Sequence, residues 1–257
     1  MDLRPHHRFL GSTGITVSPV GLGTVKFGRN RDVKYPAPFE LPGDDDILQL
    51  LAEAKILGIN LLDTAPAYGE SETRLGRLVK DRADWVISTK VGEAWTPAGS
   101  HFNFTPNGIR ASISRSLERL RTDILDIVLV HSDGGAVEQH PQESLATLSR
   151  LKADGIIRAF GFSPKTAAGV RLAASSSDVL MTTYTYAEQE VARAADEAID
   201  SGVGIIAKKI LWSGHAPTAA AFDKPLTHSG VSAVVVGTLD PEHLRQNVMW
   251  ATQALSR

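Results

Sequence analysis

Eight short apolar runs recur along the chain, and the longer stretches between them return apolar residues every three or four positions. The runs are PVGLGT (19–24), INLLD (59–63), WVIST (85–89), DIVLV (126–130), IRAFGFS (157–163), VLMTTY (179–184), VGIIA (203–207) and SAVVVG (232–237). Short runs of this kind, bounded by turn or charged residues, read as buried strands. The segments DDDILQLLAEAKILG (44–58), PNGIRASISRSLERLRT (106–122), PQESLATLSRLKADG (141–155), AEQEVARAADEAIDSG (187–202) and DPEHLRQNVMWATQAL (240–255) carry the period of amphipathic helices. The first opens on three acids, where the helix dipole favours negative charge, and stops at Gly58. In the seventh connection Pro217 and Pro225 confine the predicted helix to Thr218–Phe222. Ahead of the first run, RFLGSTGITVS reads as a short β-hairpin turning at Gly11 and Gly14. Strand and helix repeated eight times predict an α/β fold, a (β/α)8 TIM barrel with a short N-terminal β-hairpin, in one domain over residues 1–257. A doubly wound open sheet is the other arrangement that fits the alternation.

The length of 257 residues is ordinary for one such barrel. With 42% hydrophobic and 22% charged residues the composition is globular. A net charge of −2 supplies no basic surplus, which excludes nucleic acid and anionic membrane surfaces as expected partners. The absence of cysteine removes disulfides, thiolate nucleophiles and zinc-thiolate sites, and fits a reducing compartment, so the cytoplasm is expected. The N-terminal MDLRPHHRFLGSTG has no signal-like apolar segment, and no later run approaches the about 18 apolar residues of a membrane span. A soluble protein is expected. His6, His7 and His101 have no carboxylates at metal-site spacing, so no metal is expected. GLGTVKFG opens like a dinucleotide fingerprint, but its third glycine falls late, at Gly28, and no helix pattern follows directly. It reads as the end of a glycine-containing strand.

In a barrel the C-terminal ends of the strands converge on one face, where side chains distant in sequence meet. Successive runs here end in or just before Asp63, Lys90, His131, Ser163, Tyr184, Lys208 and Gly237. Any one of these can be a polar residue that merely stops a strand. Asp63, Tyr68, Lys90 and His131 together form a coherent acid site. A tyrosine is a poor acid at neutral pH until a neighbouring ammonium stabilises its phenolate. Lys90 is placed to do that, Asp63 supplies the lysine's counter-charge, and His131 is expected to hydrogen-bond the reacting oxygen.

The pieces LDTAPAYGESETRLG, STKVG, IRASISRSLERLRTDILDIVLVHSD, LKADGIIRAFGFS and VVVGTLDPEHLRQNV resemble, in order and spacing, the aldo-keto reductase superfamily over nearly the whole chain. The resemblance implies a barrel that holds an extended nicotinamide dinucleotide without a Rossmann domain and reduces aldehydes or ketones, or oxidises the matching alcohols or sugars. Carried over by position, Tyr68 is the general acid, Lys90 and Asp63 tune it, and His131 orients the carbonyl. The cofactor contacts implied are Gly23, Thr24, Ser163, Tyr184, Lys208, Lys209, Gly237, Thr238, His243, Gln246 and Asn247.

Several of those cofactor positions depart from the family pattern. Pro164 stands where an asparagine usually follows Ser163, Met181 where a glutamine is common, and Thr185 where an asparagine is common. Lys208 replaces the tyrosine that stacks on the nicotinamide, leaving Trp212 or Phe27 to supply a ring surface. Lys208 or Lys209 can instead pair with the pyrophosphate. After the eighth strand the family's 2′-phosphate-clamping Lys and Arg align with Gly237 and His243. Arg245 can restore the charge, Asp240 opposes it, and the helix start still suits a phosphate. On family frequency NADP(H) is expected ahead of NAD(H). In GEAWTPAGSHFNF, Trp95, Phe102 and Phe104 either wall an apolar pocket for a small carbonyl or sugar substrate or belong to a loop that only covers the barrel top. The altered nicotinamide contacts also admit a second class of function, a dinucleotide-binding sensor or regulatory subunit with little or no turnover.

Overall fold

The computed structural model describes all residues, 1–257. Eight parallel strands close a barrel: β3 (Val20–Gly23), β4 (Leu61–Asp63), β5 (Val86–Val91), β8 (Leu125–His131), β9 (Ile157–Ser163), β10 (Val179–Thr183), β11 (Gly204–Lys208) and β12 (Val231–Val236). Each pairs with its sequence neighbour in the barrel, and β12 returns to β3 through Val234 beside Val20. The helices α1 (Asp44–Ile56), α2 (Ser71–Leu78), α3 (Pro106–Leu120), α4 (Ala136–Gln139), α5 (Gln142–Ala153), α6 (Ala167–Ala174), α7 (Gln189–Ile199), α8 (Ala220–Thr227) and α9 (Pro241–Leu255) lie in the connections. This is the (β/α)8 barrel that the alternation predicts, and it excludes the open sheet. No helix is long and apolar enough to cross a membrane.

The strand period of two divides the core into two clusters. On β8, Ile127 and Leu129 join the barrel interior, while Val128 and Val130 pack outward against the helix layer. On β4, Leu61 faces in and Leu62 out. The predicted hairpin, β1 (Arg8–Phe9) with β2 (Thr16–Val17), plugs the N-terminal end, since Leu10, Ile15 and Val17 belong to the interior cluster. Gly11 is required in that plug: its φ is +52°, and a Cβ would lie 2.3 Å from the Gly204 backbone nitrogen.

Two elements differ from the sequence expectation. Helix α8 runs past Phe222, through Pro225, to Thr227. Phe222, Pro225 and Leu226 are buried there, and the Arg8 guanidinium donates to the carbonyls of Leu226 at 2.8 Å and His228 at 3.2 Å. Burial and that cap offset the lost proline N–H. The segment after β5 forms an antiparallel hairpin, β6 (Glu93–Thr96) with β7 (Gly99–Phe102), turning at Gly99 with φ +117°.

Candidate active site

Extending the inward set of each strand by one step places Asp63 after Leu61 on β4, Lys90 after Val86 and Ser88 on β5, and His131 after Ile127 and Leu129 on β8. The same step places Ser163 after Ala159 and Gly161 on β9 and Lys208 after Ile206 on β11. All five line one cavity at the C-terminal mouth, together with Tyr68. Tyr68 arrives from the β4–α2 connection, where Pro66–Tyr68 form one 3-10 turn that ends at Gly69 with φ +58°. A Cβ on Gly69 would sit 2.2 Å from the Gly28 carbonyl oxygen, so the reversal that aims Tyr68 over the mouth needs glycine.

At the cavity floor the Lys90 ammonium donates to Asp63 Oδ1 at 2.7 Å and to the Thr64 carbonyl at 2.9 Å. Ser88 Oγ donates to the same Asp63 oxygen at 3.1 Å. Both charges are buried, and Lys90 Nζ lies 4.8 Å from the Tyr68 ring centroid. The Tyr68 and His131 rings stand edge to face, 6.3 Å apart. Burial, followed by the Asp63 and Glu93 carboxylates, pushes the Tyr68 phenol well above its ordinary pKa. The sequence reading expected Lys90 to lower it. In the folded protein Lys90 spends its charge on Asp63 and Thr64, so desolvation wins.

Ser163 and Lys208 meet at the opposite side of the floor: Lys208 Nζ donates to Ser163 Oγ and to the Pro164 carbonyl, both at 2.8 Å. Burial, then repulsion from Lys209 and Lys90, brings the Lys208 ammonium down to about 7. The turn that carries Pro164 is held from behind by buried Glu138, which accepts from Ser132 Oγ at 2.6 Å and from the Lys165 amide and the Thr166 hydroxyl. Lys34, Lys165 and Lys209 also face the cavity. None of these four lysines has a carboxylate in ion-pair contact, so their positive charge is left unneutralised by the protein. Gly23 and Gly237 form part of the same wall; a Cβ on Gly237 would approach Tyr35 Oη to 3.2 Å. The glycines leave room against the wall and the lysines beside them give it positive charge, features that suit a phosphate group.

Other residues singled out in the sequence lie off the cavity. Thr24 is buried, donating to the Asp63 carbonyl at 2.9 Å, so it braces β3 on β4. Tyr184 turns away, its hydroxyl donating to Asp196 at 2.6 Å. Phe27 belongs to the outer core and Trp212 is exposed, so neither offers a ring to the floor, where Met181 sits instead. Thr238 opens the turn into α9 by accepting from the Asp240 amide at 3.0 Å, and Gln246 and buried Asn247 lie along that helix. His243 is exposed, 3.6 Å from Asp240. Arg245 is held by Glu53, with two contacts of 2.7 Å, and by Glu242, so it leaves no free cation for a 2′-phosphate. Trp95 donates to Asp32 at 3.1 Å with Arg29 over its ring at 4.9 Å, while Phe102 is exposed and stacks on Phe104. Trp95 and Phe102 lie on the β6–β7 hairpin and Phe104 packs against the core just beyond it, and none of the three lines the cavity, so they build no apolar wall there.

Sequence reasoning passed over Glu93, three residues after Lys90, whose Oε2 lies 2.9 Å from His131 Nδ1. It also passed over Arg29, which donates to the Ala67 carbonyl at 3.0 Å beside Tyr68. The only local signal for Glu93 was a charged residue just past the end of β5, three positions after Lys90.

A model of the Aldo/keto reductase family matches residues 19–228. The chain is 36% identical to L-galactose dehydrogenase of Arabidopsis thaliana over 161 residues, covering 60% of this chain and 47% of that protein. It is 35% identical to NADH-specific methylglyoxal reductase of Escherichia coli over 196 residues, covering 68% and 58%. The chain thus spans about half the length of the curated relatives it matches. A Pseudomonas aeruginosa structure named for the aldo-keto reductases shares 45% identity and a TM-score of 0.90, covering 99% of this chain and 98% of that one. An aldo-keto reductase from Bacillus halodurans, at 22% identity and a TM-score of 0.80 over 97% and 94%, shares the fold. With the family model running over most of the chain, and a close structural likeness over nearly all of it, the chain belongs to the aldo/keto reductase family.

Proposed function

We propose that the protein is a nicotinamide-dinucleotide-dependent oxidoreductase that interconverts a small aldehyde, ketone or sugar and its alcohol, with Tyr68 as the proton donor. The observation that carries this reading is the buried Asp63–Lys90 pair set beneath Tyr68 and His131 on the floor of a lysine-walled cavity. When bound, the dinucleotide supplies or removes the hydride. The protein's residues do the rest. Tyr68, with its phenol pKa raised, stays protonated through the physiological range and releases its proton only to an oxygen that is gaining negative charge. Lys90 uses two of its three N–H bonds on Asp63 and Thr64, and the third remains to stabilise the phenolate that Tyr68 leaves. Lys34, Lys165, Lys208 and Lys209 hold the pyrophosphate, and Ser163 the nicotinamide end.

The resemblance favours NADP(H) by frequency. The ties of Arg245 to Glu53 and Glu242, and the acids Asp240 and Glu242 at the start of α9, favour NAD(H), because a 2′-hydroxyl needs no cation there and a 2′-phosphate does. NAD(H) is therefore the second reading, and titration with both dinucleotides, followed by tryptophan fluorescence, decides the order.

Turnover of a panel of aldehydes, ketones and sugars with both dinucleotides tests the activity. Tyr68→Phe is expected to keep dinucleotide affinity and lose roughly 100- to 10,000-fold in kcat, the usual contribution of a general acid. Tight binding with no turnover on any carbonyl by the unmodified protein would return the sensor reading.

A further inference from the structure

Arg29 stands at the end of the cavity away from the lysines. It follows β3, and its neighbours Ala67 and Trp95 follow β4 and β5, whereas Lys165 follows β9, Lys208 ends β11 and Lys209 comes next. In the closed barrel β8 and β12 separate these two groups of strands, so the arginine and the lysines face one another across the mouth. Lys34 shares the connection of Arg29 but reaches the lysine side, where its carbonyl accepts from His215 Nε2 at 3.2 Å.

The Arg29 guanidinium is half-buried and fixed from several directions. Nε donates to the Arg31 carbonyl at 2.9 Å, one terminal nitrogen to the Ala67 carbonyl at 3.0 Å and the other to the Asp32 carbonyl at 3.0 Å, with the Trp95 ring 4.9 Å away. Three bonds to carbonyls leave two of the five guanidinium N–H groups unspent. The nearby acids are engaged elsewhere. Asp32 Oδ2 accepts from the Trp95 indole at 3.1 Å, and Glu93 accepts from Ser100 Oγ at 2.7 Å beside His131; neither is in ion-pair contact with Arg29. A guanidinium held still, partly out of water and without a counter-ion is a preorganised seat for a carboxylate. It lines the same cavity as Tyr68, close enough for its charge to oppose the rise in the Tyr68 pKa. One small molecule can therefore present a carbonyl to Tyr68 and an anionic group to Arg29.

We propose that Arg29 is a specificity-determining residue that binds a carboxylate on the carbonyl substrate, so that the preferred substrates are oxo acids rather than neutral aldehydes, ketones or sugars. The inference rests on the oxidoreductase reading, in which the dinucleotide phosphates are taken by the lysines across the mouth and Arg29 is left to the substrate.

Three aldehyde acids of rising length, glyoxylate, 4-oxobutanoate and 5-oxopentanoate, are each compared with the methyl ester, which keeps the reacting carbonyl and removes the charge. For the best acid, kcat/KM is expected to exceed that of its ester about tenfold or more, the effect of one charged hydrogen bond. Arg29→Met is expected to bring this ratio close to one, and Arg29→Lys to keep part of it. The ratio in the unmodified protein decides even where Arg29→Met fails to fold. Esters turned over as well as their acids in all three pairs overturn the proposal. An Arg29→Met protein that slows acid and ester equally does so too, because that is the behaviour of an arginine that only braces its loop. If no acid and no ester turns over with either dinucleotide, the oxidoreductase reading fails, and calorimetric titration of 4-hydroxybutanoate onto the dinucleotide complex decides the Arg29 site separately. Binding about tenfold or more weaker in Arg29→Met is expected there, and equal binding overturns the assignment.

Discussion

Lys90→Met removes one charge from a pair that the fold has taken out of water: the two side chains are 2% and 5% exposed. Asp63 then keeps Ser88 Oγ, at 3.1 Å, as its side-chain donor, and the Thr64 carbonyl loses the ammonium at 2.9 Å. Leaving one member of a buried pair uncompensated costs about 3–5 kcal/mol. At this chain length each kcal/mol moves the melting temperature by about 2–4 °C, so Lys90→Met is expected to melt roughly 6–20 °C below the unmodified protein. Asp63→Asn strands the ammonium and is expected to cost a similar amount. The double variant removes both charges and is expected to recover most of the loss, because neutral replacement of a whole buried pair is close to energetically even. Thermal and urea unfolding of the four proteins, followed by circular dichroism, measures the cycle. A double variant destabilised by the sum of the two single losses would refute the coupling, and with it the claim that Asp63 and Lys90 act as one unit beneath Tyr68.

Two further outcomes follow from the cationic wall and its acidic end. Lys208 titrates at about 7 in the folded protein against an ordinary 10.5, so between those values the unfolded chain binds more protons and this side chain makes the fold more stable as pH rises. Pyrophosphate favours the charged form, so dinucleotide affinity is expected to be greatest below pH 7 and to weaken above it; Lys208→Met should bind weakly with little pH dependence, as read by fluorescence titration between about pH 6 and 9. The double variant Glu53→Ala/Glu242→Ala frees Arg245 from its ion pairs and is expected to tighten NADPH binding about tenfold while leaving NADH within about twofold, because one charged hydrogen bond to a phosphate is worth about 1.5 kcal/mol or more.

The hydrophobic pattern alone determined the eightfold alternation of strand and helix, because buried parallel strands and their covering helices leave periods of two and 3.6 that depend only on backbone geometry, while closure into a barrel rather than an open sheet was decided by the pairing of the last strand with the first. The same period aimed Asp63, Lys90, His131, Ser163 and Lys208 inward, since each continues an inward set such as Ile127 and Leu129. The ring of polar strand ends was therefore legible from one dimension. Their partners were not. Glu93 reaches His131 through a hairpin whose direction no local pattern specified, and Arg245 is tied to Glu53 across 192 residues. Tyr184 turns to Asp196, and Arg8 caps the helix that passes through Pro225 across 218 residues. The pKa of Tyr68 also departs from its sequence expectation, because charge balance depends on how deeply Asp63 and Tyr68 are buried and on where Lys90 places its N–H bonds. Periodicity sets which way a side chain points. What it touches, and how far water is excluded from it, are set by loops that meet only once the barrel closes.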